Sequence, residues 1–177
     1  MSHKAERDAW TAFVEAGGNA QAAVDALLKP RTITFTVLCK PAPQGSLKGI
    51  ALTSRAGLPY TKLSCDNPRT MPYRQAVGWA ALEARAKAGI HEVFAAQDVP
   101  VRMAATFVFL KPKSAPRSRT RPTVKPDLDK LLRSTYDALS GVLYADDAQV
   151  VSCALEKIYG APESVTISVT LQLEEGY

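Results

Sequence analysis

Lys125-Pro126-Asp127-Leu128-Asp129-Lys130-Leu131-Leu132-Arg133, followed one helix-length later by Asp146-Asp147-Ala148-Gln149-Val150-Val151, is the stretch on which the reading of this chain turns. Leu131, Leu132, Tyr136 and Leu139 recur at helical spacing, and Ser140-Gly141 closes a helix over 129–139. Val142-Leu143-Tyr144 then reaches the Asp pair, and 149–159 reads as a strand. Upstream, 101–110 is a second strand. Carboxylates therefore gather at two element boundaries. The segment before them carries Lys111, Lys113, Arg117, Arg119, Arg121 and Lys125 with no acid among them. Carboxylates fed by cations suit a divalent metal acting on a polyanion.

Working outward, 31–38 alternates Ile33, Phe35 and Val37 with Thr32, Thr34 and Thr36, the pattern of a half-buried strand. The prolines and Gly45 make 40–48 a loop, and 50–70 reads as irregular with a short hairpin around Gly57. Pro72 opens a helix running to Gly89. The strands at 149–159 and 164–173 are expected to form a hairpin through Gly160-Ala161-Pro162. Residues 4–29 read as helix, break at Gly17-Gly18-Asn19 with Asn19 as N-cap, and helix to Pro30. Such an opening suits a helix-turn-helix, but the chain turns to a strand where a recognition helix is needed, so an accessory helical hairpin is expected. The organisation expected is a helical extension over 1–30 and one α+β domain over 31–177, a small mixed β-sheet packed with helices.

A chain of 177 residues, 46% apolar and 22% charged, can build one such domain. Its net charge of +5 favours an anionic partner, weakly by itself. Cys39, Cys65 and Cys153 lie far apart without zinc spacing, and His3 and His91 are too few for a histidine-based site. There is no apolar run of membrane-spanning length and no signal segment, so a cytoplasmic protein without membrane association is expected. Nothing in the sequence indicates an organic cofactor.

Each carboxylate has a structural reading beside the chemical one. Asp127 and Asp129 flank Leu128, so in extended backbone both face one way while Leu128 faces the core. Pro126 favours that geometry, and like charges this close repel unless a cation lies between them. Otherwise Asp127 caps the helix and Asp129 favours the positive end of its dipole. Asp146 and Asp147 point to opposite sides in extended backbone, so one of them enters a site; an Asp-Asp turn before a strand explains the pair as well. Asp137, two turns beyond Asp129, reads as solvated or helix-orienting. Oxygen donors of this kind suit Mg²⁺, with Mn²⁺ as a substitute. Lys130 and Arg133 lie one turn apart, where either reaches the same phosphate or both are solvated. The basic run reads as a surface loop tracking a DNA backbone, and without interleaved aromatics it does not read as a base-stacking platform.

Asp127-Leu128-Asp129, Tyr136-Asp137-Ala138-Leu139 and the Asp146–Val151 segment together resemble the RusA family of Holliday-junction resolvases, phage- and prophage-borne endodeoxyribonucleases. The likeness is strong over 101–172, looser over 31–100, and absent from 1–30. It implies a small mixed-sheet α+β fold, a homodimer, Mg²⁺ dependence and paired nicks across a four-way junction in a bacterial or phage-infected cell. The family's catalytic aspartates match Asp127, Asp129 and Asp147, with Asp146 beside them as a further metal candidate. Its catalytic lysine aligns with Arg133, a departure for which Lys130 is a nearby substitute. Lys157 matches a basic position of related phage proteins and joins Lys130 and the 111–125 cations as a DNA-contact candidate. A flap or fork nuclease, or an inactive DNA-binding module, are the competing readings; the second gains nothing from anions at the contact.

Overall fold

The computed structural model describes residues 3–15, 17–20, 31–65 and 67–172. Its elements, in chain order, are α1 (His3–Glu15), β1 (Thr32–Val37), β2 (Leu47–Thr53), β3 (Pro59–Cys65), α2 (Thr70–Lys87), β4 (Val101–Phe109), α3 (Leu128–Leu139), a 3-10 turn (Asp147–Gln149), β5 (Val150–Tyr159) and β6 (Ser164–Leu171). The fold is α+β: a mixed four-stranded sheet of order β1-β6-β4-β5, with β2 and β3 forming a separate two-stranded ribbon. The expected second helix of the N-terminal extension falls largely outside the described residues.

Alternation decides which face of each strand is buried. In β1, Ile33, Phe35 and Val37 enter the core, while Thr32, Thr34 and Thr36 face out and bond the hydroxyls of Thr170, Ser168 and Thr166 on β6. In β4, Val101, Met103, Ala105, Phe107 and Phe109 are buried. Helix α2 lays Tyr73, Val77 and Ala81 against the sheet at intervals of four, and α3 buries Leu131, Ser134, Thr135, Ala138 and Leu139. The Tyr73 hydroxyl bonds Thr135 at 2.9 Å, so the two helices are joined by a satisfied polar contact inside the core. α2 begins at Thr70, two residues before the expected Pro72, which the first turn tolerates because its missing N–H has no intrahelical partner.

One expectation fails. β5 and β6 are not a hairpin: β6 pairs antiparallel with both β1 and β4, and β5 pairs in parallel with β4 at the sheet edge. Proximity in sequence suggested a hairpin, but burial decides the order. β6 is buried at Ser164, Val165, Ile167 and Val169 and takes an interior position, whereas residues 151–154 of β5 are all exposed. The connection crosses the end of β4 at Gly160. Its N–H donates to the Phe109 carbonyl at 3.0 Å, and a Cβ there would stand 2.9 Å from Val108 Cγ1, so any larger residue would force Val108 to shift. The ribbon around Gly57 is longer than the short hairpin expected, seven residues per strand.

Phe107 is fully buried in the middle of β4. Phe107→Ala should lower the unfolding free energy by about 3–5 kcal/mol in urea denaturation. Arg102→Thr, on the exposed face of the same strand, should stay within about 0.5 kcal/mol.

Candidate active site

The start of α3 is built by its two neighbours. Asp127 takes the N-cap position with extended backbone, φ −75° and ψ 145°, and its carbonyl accepts from Leu131 N at 3.2 Å. Its carboxylate makes no capping hydrogen bond; it stands 3.6 Å from Lys130 Nζ, half exposed. Capping therefore does not explain this side chain. Leu128 packs against the core and Asp129 is exposed in the first turn. The loop before the helix is pinned from below. Lys157 on β5 donates to the Val124 carbonyl at 3.0 Å and to the Pro126 carbonyl at 2.7 Å. From the other side, Gln44 N donates to the Lys130 carbonyl at 2.9 Å. The loop containing Gln44 is itself tied to α2, because Asn67 Nδ2 and the Thr70 hydroxyl both donate to the Pro43 carbonyl at 2.9 Å.

The second acidic pair divides its labour. Asp146 is extended, and its Oδ1 accepts from Ala148 N at 2.8 Å, completing a capping box with Gln149. The Gln149 side chain accepts from Ala145 N and Asp146 N, and donates to the carbonyls of Ala96 and Val99. Asp146 is thus engaged in holding the turn, while Asp147, one residue on, is exposed and uncapped. The Asp147 carboxylate lies near the C-terminal half of α3. Burial raises the Tyr136 phenol above the ordinary tyrosine range, the hydrogen-bonded Cys153 raises it further, and Asp147 adds to both. Tyr144 is raised first by burial, then by Tyr136 and by Asp147.

The sequence-derived residues consequently fall into two groups. Asp127 and Asp129 stand at one end of α3 and Asp147 near the other. A helix of 12 residues spans about 18 Å, and the strand from Val150 to Lys157, which runs from the Asp147 turn to the underside of Pro126, spans roughly 23 Å. Among the described residues no group of three or more His, Cys, Asp or Glu is arranged to hold a metal ion. Arg133 is exposed on α3 and makes no ion pair among the described residues.

The basic segment is mostly exposed but shaped. Turns link Ala115 to Pro112 and Arg119 to Pro116, Pro122 is buried, and Lys111 donates to the Arg117 carbonyl at 3.3 Å. Arg121 pairs with Glu156 on β5. Lys113, Arg117 and Lys125 face solvent, and Arg119 is half-buried. Sequence reasoning missed the anchoring roles of Gln149 and Lys157. The first was visible as Asp146-x-x-Gln149, the spacing of a capping box; the second has no local signal.

Uncommitted carboxylates at the ends of one helix, beside a cation-rich loop, are the equipment of a nuclease acting on DNA. Residues 53–170, from the end of β2 into β6, match the family described as endodeoxyribonuclease RusA, and the chain belongs to that family. It is also similar to the uncharacterized protein YqaN of Bacillus subtilis (strain 168), at 29% identity over 147 residues that cover 77% of this chain and 94% of that protein. Among the described residues no helix is long and apolar enough to cross a membrane.

Two substitutions separate support from chemistry. Asp146→Ala should cost about 0.5–2 kcal/mol of stability as a lost cap, while Asp147→Ala should be near neutral in the same thermal melts. Lys157→Met leaves two carbonyls without their donor and should cost about 1–3 kcal/mol, with faster amide exchange at residues 124–128. Unchanged exchange with weakened DNA binding would instead assign Lys157 to the substrate.

Proposed function

We propose that the protein is a homodimeric, Mg²⁺-dependent endodeoxyribonuclease that cuts four-way branched DNA in pairs of phosphodiester hydrolyses, with Mn²⁺ able to substitute. The observation that carries this reading is the Asp127 carboxylate. It sits where a cap belongs yet caps nothing, next to Asp129 and at the end of a cation-rich loop. A module that only bound DNA would gain nothing from leaving anions there. The donors are oxygen atoms alone, which suits a hard cation that keeps several waters and needs few protein ligands.

The dimer supplies what one chain lacks. Beyond a register slip opposite Val101 and Arg102, the β5 edge at residues 152–154 is exposed, with neither proline nor lysine to protect it. Two such edges meeting about a two-fold axis run antiparallel, so the start of one β5 lies toward the end of the other. The Asp147 turn of one chain then approaches the Asp127 end of its partner. Asp127, Asp129 and the partner's Asp147 would hold the cation, which when bound would supply neutralisation of charge on the scissile phosphate and a lowered pKa for an attacking water. The chain's own residues do the rest. Lys157 fixes the loop that presents Asp127. Lys130 pairs with Asp127 until the phosphate arrives, and Arg133, one turn further, offers a planar fork to phosphate oxygens where the family carries lysine. Lys113, Arg117, Arg119 and Lys125 hold the flanking backbone.

A labelled four-way junction, assayed with Mg²⁺ and with chelator, tests the activity. Asp127→Asn and Asp147→Asn should each abolish cleavage and leave binding intact. Mixed as unfolded chains and refolded together, the two inactive variants should recover roughly a quarter of the wild-type sites, since half of the dimers carry one complete site. No recovery from folded, dimeric mixtures would place the whole site within one chain. A wild-type protein that leaves the junction uncut in Mg²⁺ would overturn the activity itself.

A further inference from the structure

Beside Asp127 lies a cavity of about 690 Å³ that no local sequence pattern announces. It lies between the 40–46 loop, the start of α2, the ends of β4 and β5 and the 122–127 loop. Its size falls within the roughly 300–1,000 Å³ of sites that take small organic ligands. The walls are largely apolar, with Pro41, Pro112, Pro122, Phe109 and Val124 among them. Two residues lining the cavity carry buried polar atoms, Gln44 Oε1 and the Tyr159 hydroxyl, with no hydrogen-bond partner among the described residues. Leaving such atoms unpaired is costly, and a side-chain rotation that turns them to a ligand in the cavity would remove the cost.

The charge distribution selects the kind of ligand. The lysine beneath the cavity, Lys157, is committed to two backbone carbonyls, and Lys40 is paired with Glu163 at 3.0 Å. The exposed Arg69 and Lys125 have no acidic partner among the described residues. Cations at the mouth with an apolar, sparsely polar interior suit a flat heteroaromatic group joined to phosphates outside, rather than a phosphate inside. Because Asp127 and Lys130 also line the cavity, its occupant adjoins the phosphate being cut.

We propose that this cavity receives one unstacked nucleobase of the DNA, from the nucleotide adjoining the scissile phosphate, with Tyr159 and Gln44 reading its edge. The proposal rests on the nuclease reading and names a subsite of that same site. It is compatible with a branched substrate, because extruding a base costs least where stacking is already interrupted. The 111–126 segment has no aromatic of its own; the fold brings Phe109 and Tyr159 to it from the sheet.

The test uses full-length protein in chelator, where no cutting competes, and a set of junctions carrying 2-aminopurine at successive positions near the branch. One position should brighten by at least about twofold on binding. Val124→Phe, which fills the cavity from its exposed wall, should suppress that rise and slow Mg²⁺-dependent cleavage about tenfold at equal junction affinity. If that variant does not fold, Ser46→Phe fills it from the facing loop. Tyr159→Phe should reduce discrimination among the four bases at that position about tenfold. No brightening at any position, or a cavity-filling variant with wild-type signal and rate, overturns the proposal. If the wild type cuts while no base unstacks, only the subsite fails. A base that unstacks into a cavity sensitive to Val124→Phe, in a protein that cuts nothing, overturns the nuclease reading and leaves the subsite standing.

Discussion

Everything about the site follows from β5 pairing with β4 in parallel. Two parallel strands cannot be joined by a tight turn, so the chain that leaves the end of β4 must travel back to the start of β5. That return trip is the 110–149 segment. It delivers the basic loop and Asp127 to the end where β4 finishes, runs α3 back along the sheet, and delivers Asp146 and Asp147 to the end where β5 begins. The same constraint leaves β5 at the edge, since β4 has its other side filled by β6. The separation of the acidic pairs and the open edge between them are thus one fact of topology seen twice.

Within that frame, hydrogen bonding sorts the charged residues by what they can still do. Asp146 is used by the turn, Lys157 by the carbonyls of Val124 and Pro126, and Arg121 by Glu156. The last pair is exposed and contributes at most about 1 kcal/mol, so its effect is to orient the loop more than to stabilise the fold. Arg74 and Asp137 pair across α2 and α3, so of the two readings of Asp137, solvated or helix-orienting, the second describes its contact. Among the described residues, Asp127, Asp129, Asp147 and Arg133 have no such duties beyond the loose approach of Lys130 to Asp127. A polar group left without structural work at the surface of a built loop is informative, because the same residues one position away were put to use.

Much of the fold was legible because burial writes itself as period. The alternation in β1 and β4 and the helical spacing of Leu131, Leu132, Tyr136 and Leu139 state which face is covered; the structure buries Leu131 and Leu139 and half-buries Leu132 and Tyr136 against the same core. Period says nothing about partners, which is why β5 and β6 read as a hairpin. Composition does not separate them either: β5 has the larger apolar share, yet its residues 151–154 lie exposed at the edge, while Val165, Ile167 and Val169 of the alternating β6 are buried. The site divides the same way. Residue types and helix boundaries exposed the carboxylates and the cations. The roles of Lys157, Gln44 and Tyr159 depend on meetings across 31 residues or more, and no local pattern encodes them.

Placing acids at opposite ends of one helix has a consequence for control. A nuclease whose ligands all lay within one chain would be competent as a monomer, and would nick any duplex that its basic loop held. In the dimer proposed above, with Asp127 and Asp147 separated by the length of α3, no single chain would present a complete set, and an edge-to-edge pairing that completed one site would complete its symmetry mate as well. Two sites then arise together at a fixed separation set by two rigid sheets. A substrate must offer two phosphates at that spacing and in two-fold relation to engage both. Linear duplex offers neither the symmetry of a four-way branch nor the interrupted stacking that makes a base available to the cavity beside Asp127. On this reading substrate choice does not require a loop that reads sequence; it follows from which DNA shapes can occupy two incomplete half-sites at once.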